Sequence, residues 1–280
     1  MKKLSACLSF LLLFALVGVT FAQDAPAVEE ESCAFKPDIE LTLDWNSRYV
    51  SKGKVVNPDP IASIDAYITL CGFYADFWAP FDMTDINRPE RSGAYNNNRK
   101  YRAEEVDYVF GYNYTIAADK LGGISDLTLD INYKYWQYPR AVFDDDQLLE
   151  VGASLDNVLD PDGPAALKLG TTVAYHLNGN YSWWGTVYGD LSYKVNDAIK
   201  VGLKNTWYWG DKRFNGFGHD AVNAAELKLY ASYSVNKYIS LKAYVAGAWA
   251  IDHDTRAAWA EDSWNNSENF WGGVSVTFAF

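Results

Sequence analysis

The chain has 280 residues, 49% hydrophobic and 21% charged, with 11 Trp, 20 Tyr, 14 Phe and a formal net charge of −12. So many bulky side chains exclude disorder, and a mean hydropathy of −0.21 excludes a bundle of membrane-crossing helices. An acidic balance of this size also excludes nucleic acid as a partner, because phosphates are drawn to basic surfaces.

Residues 1–22 place Lys2 and Lys3 ahead of an apolar run from Leu4 to Val19, then Thr20-Phe21-Ala22 before Gln23. That order reads as a secretory signal peptide, and removing its two lysines takes the charge to −14. Residues 23–37, with Glu29, Glu30 and Glu31, read as an acidic periplasmic N-terminal segment. The exported chain then keeps two cysteines, Cys33 and Cys71, in a compartment where a disulfide persists.

From Asp38 onward the apolar residues recur at every second position, in blocks of about 9 to 13 residues bounded by turn residues. Helical periodicity is nearly absent. In chain order the predicted strands are 38–50, 61–70, 73–81, 104–116, 127–138, 148–156, 165–177, 182–195, 198–209, 223–235, 238–250 and 269–280, twelve in all. In the fourth, Val106, Tyr108, Phe110, Tyr112, Tyr114 and Ile116 face one way, and Glu105, Asp107, Gly111, Asn113 and Thr115 the other. Cys71-Gly72, Asn196-Asp197 and Asn236-Lys237 read as tight turns, whereas 82–103, 210–222 and 251–268 read as long polar loops.

Alternation alone also suits a soluble sandwich, so the composition of each face decides. The apolar face carries Tyr133, Tyr135, Trp183, Trp207, Trp209, Trp249 and Phe278 toward strand ends, where a membrane barrel sets its aromatic girdles. The opposite face is rich in Gly, Ser, Thr, Asp and Lys, which suits a wet interior. The predicted fold is therefore all-β: a transmembrane antiparallel up-and-down barrel over 38–280, of about twelve strands, with short periplasmic turns and long extracellular loops. Closure is required, because hydrocarbon offers an open sheet edge no hydrogen-bond partner.

The chain ends Val274-Ser-Val-Thr-Phe-Ala-Phe280, which resembles the C-terminal assembly signal of outer-membrane barrels of Gram-negative bacteria. Ser47-Arg-Tyr-Val-Ser-Lys-Gly53, Asp59-Pro60 and the hairpin 63–80 around Gly72-Phe73-Tyr74 resemble the opening of the TorF-family porins. Glu105 to Gly111, Tyr135 to Pro139 and Glu150-Val-Gly152 are similar to that family's later strands. Lys52 stands where the family's pattern has Arg. The resemblance implies a pore in the outer membrane without naming a solute. It also implies Phe278 and Phe280 as signals to the barrel-assembly machinery, and lipid and lipopolysaccharide as surroundings.

The strand register divides the predicted lumen. Glu40, Asp44, Asp65, Asp76, Glu105, Asp107, Asp130 and Glu150 form an acidic wall, against Arg48 and Lys134. Lys168, Lys194, Lys200, Lys204, Lys228 and Lys242 form a basic wall, against Asp190 and Glu226. Two readings follow. Either a transverse field crosses a water-filled lumen and favours polar and zwitterionic solutes, or the charges meet, pair and plug a barrel of modest width. Inward aromatics such as Trp136, Trp184, Tyr188, Tyr230 and Tyr244 either make a sugar-stacking track or fill volume. The loop 82–103, with Arg88, Arg91, Arg99, Lys100 and Arg102, is solvated, constricts the lumen or meets lipopolysaccharide.

Cys33 precedes strand one and Cys71 follows strand two, on one side of the barrel, and a disulfide between them is expected. For catalysis, His176 with Ser182 lacks a nucleophile elbow and an orienting third residue, and His219 stands alone. Asp252-His253-Asp254 lacks metal-site spacing. No catalytic residue, metal or cofactor is expected. The sequence thus points to a passive channel for small polar solutes, of undetermined oligomeric state. Its alternative is a closed structural or adhesive barrel whose loops contact partners or lipopolysaccharide, with an outer-membrane hydrolase a weaker third.

Overall fold

In the computed structural model the described residues are 36–84, 103, 105–123, 125–139, 145–159, 163–178, 181–214, 217–218, 220–261 and 265–280. Alternation becomes twelve long antiparallel strands, because each then turns one apolar and one polar row to opposite faces. They are β1 (Asp38–Asn46), β4 (Ile61–Leu70), β5 (Phe73–Asp82), β6 (Val106–Ile116), β7 (Asp126–Gln137), β8 (Asp146–Asp156), β9 (Ala165–His176), β10 (Trp183–Lys194), β11 (Ile199–Gly210), β12 (Ala221–Asn236), β13 (Ile239–Ala250) and β14 (Glu268–Ala279). Each pairs with the next in that order, and β14 pairs back onto β1, so the sheet closes. Trp45 opposite Val274 and Leu41 opposite Phe278 fix the closing register.

The outer surface is the apolar row. Leu129, Ile131, Leu149, Leu169, Val187, Leu229 and Val245 stand exposed around its middle. Aromatic belts flank them. Toward the long loops Trp183 lies against Trp209 at 5.1 Å, Trp249 against Phe270 at 6.1 Å and Phe77 against Tyr108 at 5.5 Å. Toward the short turns Phe73 lies against Tyr112 at 4.8 Å. An apolar band between aromatic girdles is the surface a barrel presents to lipid.

Two features depart from the expected pattern. Strand one was expected over 38–50, but β1 ends at Asn46. A small hairpin follows, β2 (Tyr49–Ser51) and β3 (Lys54–Asn57), outside the barrel's hydrogen bonding. Its tip is Lys52-Gly53, with φ of 50° and 87°, a left-handed pair that glycine makes accessible. The second departure is a helix, α1 (His253–Ala260), within the loop expected over 251–268. Asp252 caps it, accepting from the Asp254 and Thr255 backbone N–H groups at 2.8 and 3.0 Å. The Asp252-His253-Asp254 cluster is thus the start of a helix.

Candidate functional site

The site is the lumen, and its geometry begins with the register. Glu40 and Asp44 on β1, Asp65 on β4, Asp76 on β5, Asp107 on β6, Asp130 on β7 and Glu150 on β8 occupy the inward row of one half of the barrel, and Glu105 just precedes β6. Lys168, Lys194, Lys200, Lys204, Lys228 and Lys242 occupy the inward row of β9 to β13. Lys168, Asp190, Lys204 and Lys228 form one row across four strands. Lys204 stands directly opposite Lys228, and Lys194 opposite Lys200. Like charges directly opposed on a sheet are destabilising.

The ion pairs join near neighbours along the barrel wall. Lys134 meets Glu150 at 2.9 Å and Lys168 meets Asp156 at 2.7 Å, each between adjacent strands. Lys228 meets Glu226 at 3.6 Å within one strand, and Lys194 meets Asp197 at 2.9 Å beside a turn. Among the described residues none of these pairs reaches across the open lumen; Lys168–Asp156 joins β9 to β8 at the seam between the walls, and Lys200, Lys204 and Lys242 have none.

The inward tyrosines also lie along the wall. Tyr188, Tyr230 and Tyr244 face Gly170, Gly202 and Gly273 on the adjoining strands. A Cβ at Gly202 would overlap the Tyr230 ring, so the ring lies flat where only hydrogen stands beneath it. The Tyr230 hydroxyl donates to Asp190 at 2.8 Å and that of Tyr244 to Asn46 at 2.6 Å. Lysines cover the exposed ring faces: Lys204 over Tyr188 at 4.6 Å, Lys242 over Tyr230 at 5.0 Å and Lys228 over Tyr244 at 4.8 Å. Three stacks of glycine, tyrosine and lysine thus line one half of the lumen. Gly202→Val is expected to cost about 1–3 kcal/mol by overpacking, read as a lower urea midpoint for unfolding in micelles; an unchanged midpoint would contradict this packing.

What enters the lumen is the β2–β3 hairpin. Tyr49 donates to Glu105 at 2.9 Å and packs on Trp78 at 5.4 Å. On the far side Asn265 accepts from the Val55 N–H at 2.8 Å, and Asn269 donates to the Gly53 carbonyl at 2.9 Å. Trp259 of α1, fully buried with Ala224, Ala246, Ala248 and Trp271, fills the mouth beside β12 to β14. The hairpin therefore spans the barrel beneath the long loops. Its tip lysine reaches the rings of Trp184 at 4.3 Å, Phe214 at 4.9 Å and Trp136 at 5.1 Å.

Two cavities flank it. One of about 540 Å³ runs around the lumen and touches Arg48, Lys134, Glu150, Lys204, Glu226 and Lys228. The other, about 1070 Å³, follows the acidic wall from Asp65 and Asp76 past Glu105 and Asp107 to Asp145 and Arg213 among the long loops. There Arg213 binds Asp211 and holds that carboxyl below its usual range by hydrogen bonding.

Several expected residues fall elsewhere. Cys71 is disulfide-bonded, and Cys33 lies outside the described residues. So do the signal peptide, most of the acidic segment, His219 and the arginines of loop 82–103. The His176 backbone N–H donates to the Ser182 carbonyl at 2.9 Å. The His176 ring points to Asp146 at 3.6 Å and packs against Trp136 and Phe214. Phe278 pairs with Leu41 and Ile239, and Phe280 is exposed.

No protein-family model and no curated protein matches the chain. Among solved structures it is similar to an outer membrane channel from Pseudomonas putida F1, with a TM-score of 0.52 and 10% identity over 92% of this chain and 100% of that one. A KdgM porin in complex with disordered oligogalacturonate gives 0.48 and 10% identity over 87% and 99%. A NanC porin gives 0.47 and 9% identity over 87% and 99%. At such identity the likeness is one of fold alone, a closed antiparallel barrel like that of the Pseudomonas putida F1 structure.

Proposed function

We propose that the protein is an outer-membrane channel for passive diffusion of small polar solutes. The observation that carries this is charge held apart: among the described residues no ion pair spans the open lumen, and the cavity of about 540 Å³ reaches from Glu150 of the acidic wall to Lys204 and Lys228 of the basic one. Fixed opposite charges facing across a space bounded by low-dielectric walls make a strong transverse field, which aligns dipolar solutes. A solute entering from the long loops would pass the acidic wall beside the hairpin and then meet the lysine stacks. Tyr188, Tyr230 and Tyr244, pressed onto glycine, leave the lumen beside them to water and solute.

On this reading residues 1–22 direct export, the short turns face the periplasm, and the aromatic belts meet lipid and lipopolysaccharide. Phe278 and Phe280 would engage the barrel-assembly machinery. The TorF-family assignment rests on the segments 47–53, 59–60 and 63–80. We assign Cys33 as the partner of Cys71, tying the acidic segment to the barrel floor; intact-mass analysis of non-reduced mature protein should find no alkylatable thiol, and two would contradict it.

Liposome swelling tests the channel and its field together, with glycine set against its uncharged isomer glycolamide after subtraction of protein-free rates. Glycine is expected to enter about twofold faster or more. Equal rates would remove the field, and no protein-dependent swelling with either solute would remove the channel.

A further inference from the structure

The Lys52 ammonium sits against three rings contributed by three separate parts of the wall: Trp136 on β7, Trp184 on β10 and Phe214 in the loop after β11. Among the described residues its one hydrogen bond is to the neighbouring Ser51 hydroxyl at 3.2 Å, and no carboxylate lies within ion-pair distance. Its partner is therefore an aromatic cage, the geometry by which proteins hold organic cations. The cage does not depend on the hairpin. Behind it Leu148, Ala174, Trp184 and Phe217 form a buried cluster, and the His176 ring wedges edge-on against Trp136 and Phe214 at 6.0 and 5.9 Å. If the hairpin withdrew, the rings would remain in place.

The cage is also reachable. Trp136, Trp184 and Phe214 all line the cavity of about 1070 Å³ that extends to the long loops. Carboxylates of Glu105, Asp107, Asp145 and Asp146 line the same cavity, so the route attracts cations.

We propose that the Trp136–Trp184–Phe214 cage is a recognition site for organic ammonium groups, occupied at rest by Lys52 as a tethered ligand that an incoming ammonium displaces. The site itself stands on the cage geometry. Its consequence, a wider path where the Lys52 side chain is displaced while the hairpin stays held, rests on the channel reading above. A tethered ligand competes at an effective concentration in the millimolar range, so the resident lysine weakens any free ammonium and its removal strengthens it.

The probe is tetramethylammonium, followed by its methyl resonance in ligand-detected NMR titrations of folded protein in micelles, with folding verified by heat-modifiable mobility. Lys52→Met is expected to lower the half-saturating concentration about tenfold relative to the unaltered chain. Lys52→Arg, which keeps a cation in the cage, should stay near the unaltered value. Trp184→Leu combined with Lys52→Met should lose saturable binding. Equal half-saturation in the unaltered chain and Lys52→Met, or binding that survives Trp184→Leu, would overturn the proposal. Solute-dependent swelling without ammonium binding would leave the channel standing and remove this site; ammonium binding without swelling would do the reverse.

Discussion

Replacing Tyr49–Asn57 with Gly-Ser-Gly is expected to raise single-channel conductance about threefold or more. Asn46 and Ile61 are direct cross-strand partners, so a short connection joins β1 to β4 without disturbing the barrel. What leaves is a hairpin that spans the lumen from Trp78 and Glu105 on one side to Asn265 and Asn269 on the other. Its removal merges the two cavities it separates, each lined by Lys52, Trp78, Lys134 and Trp184. The polar groups it abandons, Glu105, Asn265 and Asn269, then face a wet lumen and hydrate, so the cost in stability is small beside the gain in aperture. Lys52→Met should change conductance less, because the Asn265 and Asn269 hydrogen bonds still hold the hairpin. Conductance unchanged by the deletion would place the constriction elsewhere.

The second large effect concerns charge. The triple substitution Lys204→Glu, Lys228→Glu and Lys242→Glu is expected to move the channel strongly toward cations, with the potassium-to-chloride permeability ratio rising about tenfold. These lysines ride on Tyr188, Tyr244 and Tyr230, which aim them at the solute path. Lys204 and Lys242 have no ion pair among the described residues, and Lys204 faces Lys228 directly, so their field is little neutralised. Replacing them leaves both walls acidic. The reversal potential in a potassium chloride gradient reads the change, and an unchanged value would mean that the lysines do not face the permeating ions. The same substitution at Lys194 and Lys200, toward the short turns, should act more weakly because Lys194 is already paired with Asp197.

The strands and their facing were legible because a pleated strand leaves no freedom: once Leu127, Leu129 and Ile131 face lipid, Thr128, Asp130 and Asn132 face inward. The hairpin was hidden by the same rule. Tyr49 falls in the same row as Ile39, Leu41, Leu43 and Trp45, so 38–50 reads as one strand. The break comes from the bend at Ser47-Arg48 and the turn at Lys52-Gly53. Helix α1 carried a legible signal in Asp252 ahead of His253–Ala260, set inside an otherwise polar loop. The Lys52 cage carried none, since its partners lie more than eighty residues away and meet only when the hairpin folds inward. The tyrosine stacks were accessible in principle: a glycine directly across from an inward tyrosine, as Gly202 from Tyr230, follows from the register.

The most direct test of the central claim is single-channel recording from refolded protein in a planar bilayer, under a salt gradient. The account predicts discrete steps, with a small reversal potential because the acidic and basic walls oppose each other. An absence of steps from protein shown to be folded would mean that the barrel is closed, and would contradict it.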